Sequence, residues 1–305
     1  MQIAIIGAGG VGGYYGGVLA MHGHEVRILA RGAHLDAIRA RGLEVRTPDG
    51  TFVAHPEATS EPSDLAGAEL VVVAVKGYAL AEVAPAVRAA VEPAGTVLPL
   101  LNGIGITERL AALGVRASAM LDGLTYISAV RAEPGVVQRF SPFQRIVIGE
   151  PGGGTSERVR RIVDVFHEAG MDARASERIA VELWQKLIFI ATVAAVCALS
   201  RSPIGAVRDA PLSDRLIGRA IDEAIHVANA SGVALPAGED TRVRGLIDGL
   251  PATMKPSLLV DLVRGGPTEI DILSGAIAEL GRRLGIETPV HDAAITAVLA
   301  ATGGP

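Results

Sequence analysis

A glycine-rich turn near the amino terminus constrains this 305-residue chain more than any other feature. The turn, Gly7-Ala8-Gly9-Gly10-Val11-Gly12, directly follows an apolar run at residues 2–6. An uninterrupted apolar run of this kind is typical of a strand that is covered on both faces of a parallel sheet. Residues 11–21 then predict a helix, and residues 25–30 predict a second strand. The order strand, turn, helix, strand indicates a βαβ unit.

Three glycines of this turn have distinct roles in such a unit. Gly7 permits the tight turn, Gly9 lets the backbone approach a pyrophosphate, and Gly12 allows the helix to pack close to the strand. The helix N-terminus adds free N–H groups and a partial positive charge that favour phosphate groups. We therefore predict that residues 7–12 bind a dinucleotide. The alternative is a turn with a purely structural role in a doubly wound sheet.

Arg31, at the end of the second strand, predicts which dinucleotide is bound. NAD-binding proteins usually carry Asp or Glu here to accept a hydrogen bond from the ribose 2′-hydroxyl, whereas a planar guanidinium suits a 2′-phosphate. The nearest acid, Glu25, begins the strand and is expected at its other end. The sequence therefore favours NADP (NADPH) over NAD. The alternative for Arg31 is a solvated loop charge.

Two later apolar strands each end in a polar side chain. Residues 70–75 precede Lys76, and residues 96–101 precede Asn102. Ligands of open α/β sheets bind outside the carboxyl ends of the strands, near the point where the strand order reverses. We therefore expect Lys76 and Asn102 where a dinucleotide would lie. Residues 119–130 and 136–148 predict further strands in the same half of the chain.

The apolar period becomes helical after about residue 155, and no convincing strand follows the long helix predicted at residues 177–200. The predicted helices are residues 158–169, 177–200, 214–231, 254–264, 270–284 and 292–301. We predict an α/β protein of two domains. Residues 1–174 form an N-terminal Rossmann-type, doubly wound parallel sheet, and residues 175–305 form a C-terminal all-α domain.

Composition argues against several kinds of partner. The net charge of -5 offers no basic excess for nucleic acid, and the seven histidines are too dispersed for a metal site. The apolar stretch at residues 187–199 is shorter than the roughly 20 residues that cross a bilayer. The only cysteine, Cys197, has apolar neighbours and is interpreted as a core residue, with a reactive thiol as the alternative. No secretory signal is recognisable at the start of the sequence. We expect a cytoplasmic protein without a nucleic-acid, membrane or metal partner.

With these residues placed, the chain resembles the ketopantoate reductase family along nearly its whole length. The resemblance rests on the glycine-rich turn and on four later motifs: Val75-Lys76-Gly77, Leu101-Asn102-Gly103-Ile104-Gly105, Leu183-Trp184-Gln185-Lys186-Leu187, and Lys255-Pro256-Ser257 running on to Pro267-Thr268-Glu269. The resemblance implies NADPH-dependent reduction of a 2-oxo acid to a 2-hydroxy acid. It also implies a monomer or a homodimer.

The family pattern implies a role for each matching side chain. Lys186 protonates the developing alkoxide, and Glu269 helps to fix Lys186 and the nicotinamide end of the cofactor. The remaining implied contacts are Ser257 with the substrate, Asn102 between cofactor and substrate, Lys76 near the cofactor ribose or the substrate carboxylate, and, on a looser match, Ala129 with the cofactor. Each residue also has a structural interpretation. Lys186 could lie at the edge of a core, Ser257 could cap a helix, and Glu269 could be a first-turn carboxylate.

Three departures from the family pattern concern the substrate. Family members that reduce ketopantoate typically carry asparagines four and eight residues after the catalytic lysine, where this chain has Ile190 and Ala194. Met254 replaces a third asparagine, three residues before the serine. We therefore expect a more apolar pocket. The alternatives to ketopantoate are a bulkier, less polar carbonyl or imine substrate, or a non-catalytic NADPH-binding regulatory role.

Overall fold

The computed structural model describes residues 1–303, which form two compact units. The first unit contains Met1–Leu101 and Ile106–Ile179. The second contains Asn102–Gly105 and the chain from Ala180 onward. The chain thus leaves the first unit at Asn102, contributes four residues to the second unit, and returns to the first unit at Ile106.

The first unit contains the strands and five of the helices. The strands are β1 (Gln2–Ile6), β2 (Glu25–Leu29), β3 (Leu43–Thr47), β4 (Gly50–Ala54), β5 (Glu57–Thr59), β6 (Ala68–Val73), β7 (Val91–Pro99), β8 (Asp122–Tyr126), β9 (Ala129–Glu133), β10 (Val136–Arg139), β11 (Arg145–Gly149) and β12 (Ala173–Ala175). The helices are α1 (Gly10–Met21), α2 (Gly32–Arg41), α3 (Leu80–Ala90), α4 (Ile106–Ala112) and α5 (Glu157–Glu168).

The main sheet is parallel and has the strand order β5-β2-β1-β6-β7. Ile5 pairs with Ile28 of β2 on one side and with Val72 of β6 on the other. The chain first builds the sheet outward from β1 through β2, and then returns to the other side of β1 at β6. The strand order therefore reverses beside β1, at the point where such sheets bind their ligands. The predicted Rossmann-type sheet is confirmed.

Helix α1 packs against β1 because several of its positions lack a side chain. A Cβ atom on Gly16 would lie 2.9 Å from Cγ1 of Ile5, and one on Gly12 would collide with the carbonyl oxygen of Gly7. Close packing buries Tyr15 of this helix completely, and its ring meets Phe166 of α5 edge to face with 6.1 Å between centroids. The small residues and one large aromatic side chain together fill this layer of the core.

Two smaller sheets complete the first unit, with strand orders β4-β3-β10-β9 and β12-β11-β8. The predicted strand at 119–130 therefore divides into β8 and β9, which belong to different sheets. The predicted strand at 136–148 likewise divides into β10 and β11. Each long apolar segment contributes one strand to each of two sheets. The prediction of a single strand at either place was therefore wrong.

Among residues 180–303 the structure contains helices and no strand. The helices of the second unit are α6 (Ile179–Ser200), α7 (Ile204–Arg208), α8 (Ser213–Ala230), α9 (Glu239–Asp248), α10 (Ser257–Val263), α11 (Ser274–Leu284) and α12 (Pro289–Thr302). Helix α6 is long and apolar enough to cross a membrane by length and composition. Its apolar side chains form the core of this unit, and Cys197 is fully buried among them. Burial raises the pKa of the Cys197 thiol to about 12.

Some observed boundaries differ from the predicted ones for identifiable reasons. The two units divide after Ile179 and not at Arg174, because Arg174 lies in β12, which pairs with β11. Helix α10 begins at Ser257 and not at residue 254, since Pro256 in extended conformation precedes it. Helix α11 begins at Ser274 and not at residue 270. The sequence pattern did not predict helices α7 and α9.

His291 gives the second unit a stability that depends on pH. Its Nε2 donates to the carbonyl oxygen of Ala220 at 3.1 Å, which leaves Nδ1 to accept from the Ser274 hydroxyl at 3.0 Å. Burial lowers the pKa of His291 to about 4 from 6.5. Because the unfolded chain takes up this proton first as the pH falls, stability should decrease between about pH 6.5 and 4, by at most about 3 kcal/mol.

Urea unfolding at neutral and acidic pH measures this loss. His291→Gln removes the titrating group, so its free energy of unfolding should fall less between the two pH values than that of the unsubstituted protein. His226→Gln, at an exposed position of α8, is the matched control and should retain the full pH dependence. Equal pH dependence in all three proteins would contradict the assignment.

Candidate active site

The glycine-rich turn is held by backbone contacts that admit no side chain. Gly7 has a positive φ of 109°, and a Cβ atom there would lie 2.6 Å from the carbonyl carbon of Ala74. The turn therefore lies against the chain that leaves β6. Gly9, the N-cap of α1, is different, because a Cβ atom there would meet nothing within 4 Å. The turn is thus closely packed at Gly7 and open at Gly9.

Gly10 brings a second chain segment to the turn. A Cβ atom on Gly10 would collide with the carbonyl group of Ala129 and lie 2.6 Å from the amide nitrogen of Val130. The start of β9 is therefore in contact with the start of α1. The sequence linked Ala129 to the cofactor only through a loose motif match, and the structure places it beside Gly10. Lys76 lies two residues beyond Ala74, just outside the carboxyl end of β6.

Arg31 lies just outside the carboxyl end of β2 and is the N-cap of α2. Its guanidinium is exposed and forms an ion pair with the carboxylate of Glu82, in the first turn of α3. Glu82 carries no motif in the sequence that would mark it as a site residue. The two residues are 51 positions apart, and no local pattern connects them.

His34 is a further buried group beside the turn that the sequence analysis missed. Its Nδ1 accepts a hydrogen bond of 2.8 Å from the backbone N–H of Gly135, between β9 and β10. Burial lowers the pKa of His34, the charge of Arg131 lowers it further, and the backbone of Ala8 partly opposes the shift. A neutral ring in this place links α2, the glycine-rich turn and the β9–β10 connection.

The second unit brings Lys186 and Glu269 together. Lys186 lies in α6 beside the fully buried side chains of Leu187 and Ile188, and its own side chain is partly buried. Burial lowers the pKa of Lys186 to about 8, and the negative charge of the buried Glu269 opposes the shift. Desolvation disfavours the ammonium form and a nearby carboxylate favours it. The result is an amine that can gain or lose a proton near neutral pH.

Asn102 belongs to the same unit as this pair. Its neighbour Gly103 has a positive φ of 101°, and a Cβ atom there would lie 2.5 Å from the carbonyl oxygen of Ile272. Ile272 is close in sequence to Glu269, so the Asn102–Gly105 segment is held against the chain that carries this carboxylate. Ser257 is exposed at the start of α10.

Two structural interpretations of these residues are wrong. The N-cap of α10 is Pro256, so Ser257 does not cap this helix and its hydroxyl forms no cap hydrogen bond. Glu269 does not lie in the first turn of a helix, because α11 begins at Ser274. The carboxylate of Glu269 is instead buried and interacts with Lys186.

The three apolar replacements lie in or against the core of the helical unit. Ile190, one helical turn after Lys186, is partly buried and packs on this core. Ala194, one turn further, is 1% exposed. Met254 is also partly buried against the same core. The face of α6 that continues from Lys186 is therefore apolar and offers no side-chain hydrogen bond at positions 190 and 194.

Comparison with known proteins identifies the relationship. The model of the ketopantoate reductase PanE/ApbA family matches residues 3–153, and the model of its C-terminal domain matches residues 178–302. The chain belongs to the ketopantoate reductase family. It is thus an oxidoreductase by family, and the resemblance inferred from the motifs is confirmed.

Individual relatives support this assignment over their whole length. The chain is 35% identical to the 2-dehydropantoate 2-reductase of Halobacterium salinarum over 292 residues, or 95% of each chain. The crystal structure of a PanE/ApbA family ketopantoate reductase from Ralstonia eutropha superimposes with a TM-score of 0.92 at 31% identity, covering 99% of both chains. The 2-dehydropantoate 2-reductase of Geobacter metallireducens gives a TM-score of 0.91 at 30% identity, covering 99% of this chain and 100% of that one.

The open space at Gly9 leads to a testable prediction. Gly9→Ala adds a methyl group where nothing lies within 4 Å, so the free energy of unfolding should change by no more than about 1 kcal/mol. If the turn binds a nicotinamide dinucleotide, the same methyl group would obstruct the approach of its pyrophosphate, and the affinity for NADPH should fall by about tenfold or more. Titration calorimetry and thermal unfolding measure the two effects.

Gly218→Ala is the matched control, because a Cβ atom at this position of α8 also meets nothing within 4 Å. This variant should bind NADPH with unchanged affinity. Unchanged affinity in Gly9→Ala as well would argue against dinucleotide binding at the turn.

Proposed function

We propose that this protein reduces a 2-oxo acid to a 2-hydroxy acid with NADPH, as a 2-dehydropantoate 2-reductase or a close relative. The observation that carries the proposal is the partly buried Lys186 beside the buried carboxylate of Glu269, with the lysine pKa lowered to about 8. A general acid is most effective when its pKa lies near the working pH. The family membership supplies the reaction type.

The residues around the glycine-rich turn fit a dinucleotide. The N–H groups in the first turn of α1 meet no acidic side chain within the helix, and Gly9 leaves space for a phosphate group. Arg31 lies where the adenosine ribose ends of such cofactors are bound and is suited to a 2′-phosphate. When bound, the nicotinamide supplies the hydride that reduces the ketone carbon. We assign phosphate and ribose binding to residues 7–12, Arg31 and Lys76, with Ala129 beside them.

Lys186 performs the proton transfer in this proposal. Its ammonium group donates a proton to the ketone oxygen as that oxygen gains negative charge, so that the product is a hydroxyl group. The lowered pKa makes this donation more favourable than it would be from an exposed lysine. Glu269 keeps enough of the amine protonated for the donation to occur at neutral pH. Asn102, Lys76 and Ser257 are assigned to orienting the substrate by hydrogen bonds and charge.

The proton-donor role predicts how the rate depends on pH. The value of kcat/KM for reduction should decrease as the pH rises through about 8, because Lys186 loses its proton there. Glu269→Gln removes the charge that raises the lysine pKa, so the decrease should begin at lower pH. Loss of NADPH absorbance with 2-dehydropantoate as substrate measures both profiles.

Lys186→Ala tests the same role directly. This variant should lose about a hundredfold or more in kcat, since general acid catalysis contributes at least that much. Its affinity for NADPH should remain measurable, which separates loss of catalysis from loss of folding. Full activity of Lys186→Ala with every substrate that the unsubstituted protein reduces would exclude this lysine as the acid.

A second candidate function is reduction of a bulkier and less polar carbonyl or imine. The apolar side chains of Ile190, Ala194 and Met254 favour it, because a site without hydrogen-bonding groups discriminates weakly in favour of a polar substrate. A regulatory protein that binds NADPH without catalysis is a third alternative. The environment of Lys186 argues against that alternative, because burial lowers the pKa of this lysine to about 8, a value suited to proton transfer, while Glu269 limits the shift.

A substrate panel distinguishes these candidates. We expect Ile190→Asn to raise kcat/KM for 2-dehydropantoate relative to bulkier apolar 2-oxo acids by about two- to tenfold, the value of one hydrogen bond. Ile190→Leu, which retains the apolar character, should leave this ratio nearly unchanged. Tight NADPH binding without turnover of any carbonyl substrate would favour the regulatory role.

A further inference from the structure

Glu82 is the only acidic residue in α3, and its carboxylate pairs with the guanidinium of Arg31. Both side chains are well exposed, at 65% for Arg31 and 58% for Glu82. The two groups reach each other from different parts of the sheet. Arg31 follows β2, whereas α3 follows β6 after the short turn Gly77–Ala79. The structure thus places an anion beside the cation to which the 2′-phosphate of NADPH is assigned.

The two charges of this pair should affect NADPH and NADH in opposite ways. A carboxylate near the ribose accepts a hydrogen bond from the 2′-hydroxyl of NADH, whereas a guanidinium attracts the 2′-phosphate of NADPH. A carboxylate repels that phosphate and competes with it for the same guanidinium N–H groups. NAD-binding proteins usually place the acid at the end of the second strand. Here that place is taken by Arg31, and the acid comes from α3.

The carboxylate of Glu82 lies beside both a helix N-terminus and a guanidinium. Glu82 lies in the first turn of α3, where the partial positive charge of the helix N-terminus stabilises a carboxylate. Arg31 adds a second favourable interaction. The carboxylate of Glu82 therefore already lies beside Arg31 and need not be brought there.

We propose that Glu82 is a specificity-determining residue that weakens NADPH binding and strengthens NADH binding. The proposal rests on the proposed function, because it requires that the glycine-rich turn and Arg31 bind a nicotinamide dinucleotide. It goes further by assigning the choice between the two cofactors to a pair of opposite charges. Arg31 favours the phosphate, and Glu82 limits that preference.

Glu82→Gln tests the proposal, because it removes the charge and retains the size of the side chain. The dissociation constants of NADPH and NADH are measured by titration calorimetry with the whole protein and without a carbonyl substrate. We expect NADPH to bind roughly three- to tenfold more tightly and NADH to bind a few-fold more weakly. The thermal unfolding temperature should change little, since exposed ion pairs contribute little to stability.

Glu57→Gln is the matched control. Glu57 is also an exposed carboxylate in an ion pair, with Arg27 at 3.5 Å, but it lies at the amino end of β5. The control should leave the ratio of the two dissociation constants unchanged. The same unchanged ratio in Glu82→Gln would overturn the role of Glu82 while leaving the proposed function intact. Failure of the unsubstituted protein to bind either dinucleotide would instead overturn the proposed function, and this proposal with it.

Discussion

The close backbone packing of the glycine-rich turn is the constraint on which the first unit depends. Gly7 lies against Ala74, Gly10 lies against Ala129, and Gly12 lies against the carbonyl of Gly7. These contacts connect the start of α1 with the segment that follows β6 and with the first residues of β9. Because the facing atoms belong to the backbone, they cannot move aside as the end of a flexible side chain can. The same packing leaves open space at Gly9, the N-cap of α1, where free N–H groups favour an anion.

A different balance governs Lys186 in the second unit. Taking the amine out of water disfavours its charge, and the carboxylate of Glu269 partly restores that charge. The two effects do not cancel, because desolvation is the larger. A fully exposed lysine would remain protonated at any physiological pH, and a buried lysine without a carboxylate would tend to remain neutral. The observed arrangement lies between these limits.

The residues proposed to bind the cofactor and those proposed to bind the substrate are arranged differently along the chain. The phosphate-binding turn and the strand-end Arg31 are close together in sequence, and Arg31 is modified by a carboxylate that lies 51 residues away. The substrate end depends on positions spaced along one face of α6 and on Met254, near the start of α10. Positions 190, 194 and 254 carry apolar side chains, whereas the polar residues Lys186, Glu269 and Ser257 match the family pattern.

Local sequence by itself determined β1, α1, β2 and the long helix α6, because apolar periodicity and the steric freedom of glycine act within a few residues. The family resemblance, and not a local pattern, singled out Lys186. Only the tertiary structure decided how the predicted strands at 119–130 and 136–148 divide between sheets, that Ala129 contacts Gly10, and that Arg31 meets Glu82. The physical reason is that contacts and charges between distant segments depend on how the whole chain packs, and no local pattern records them.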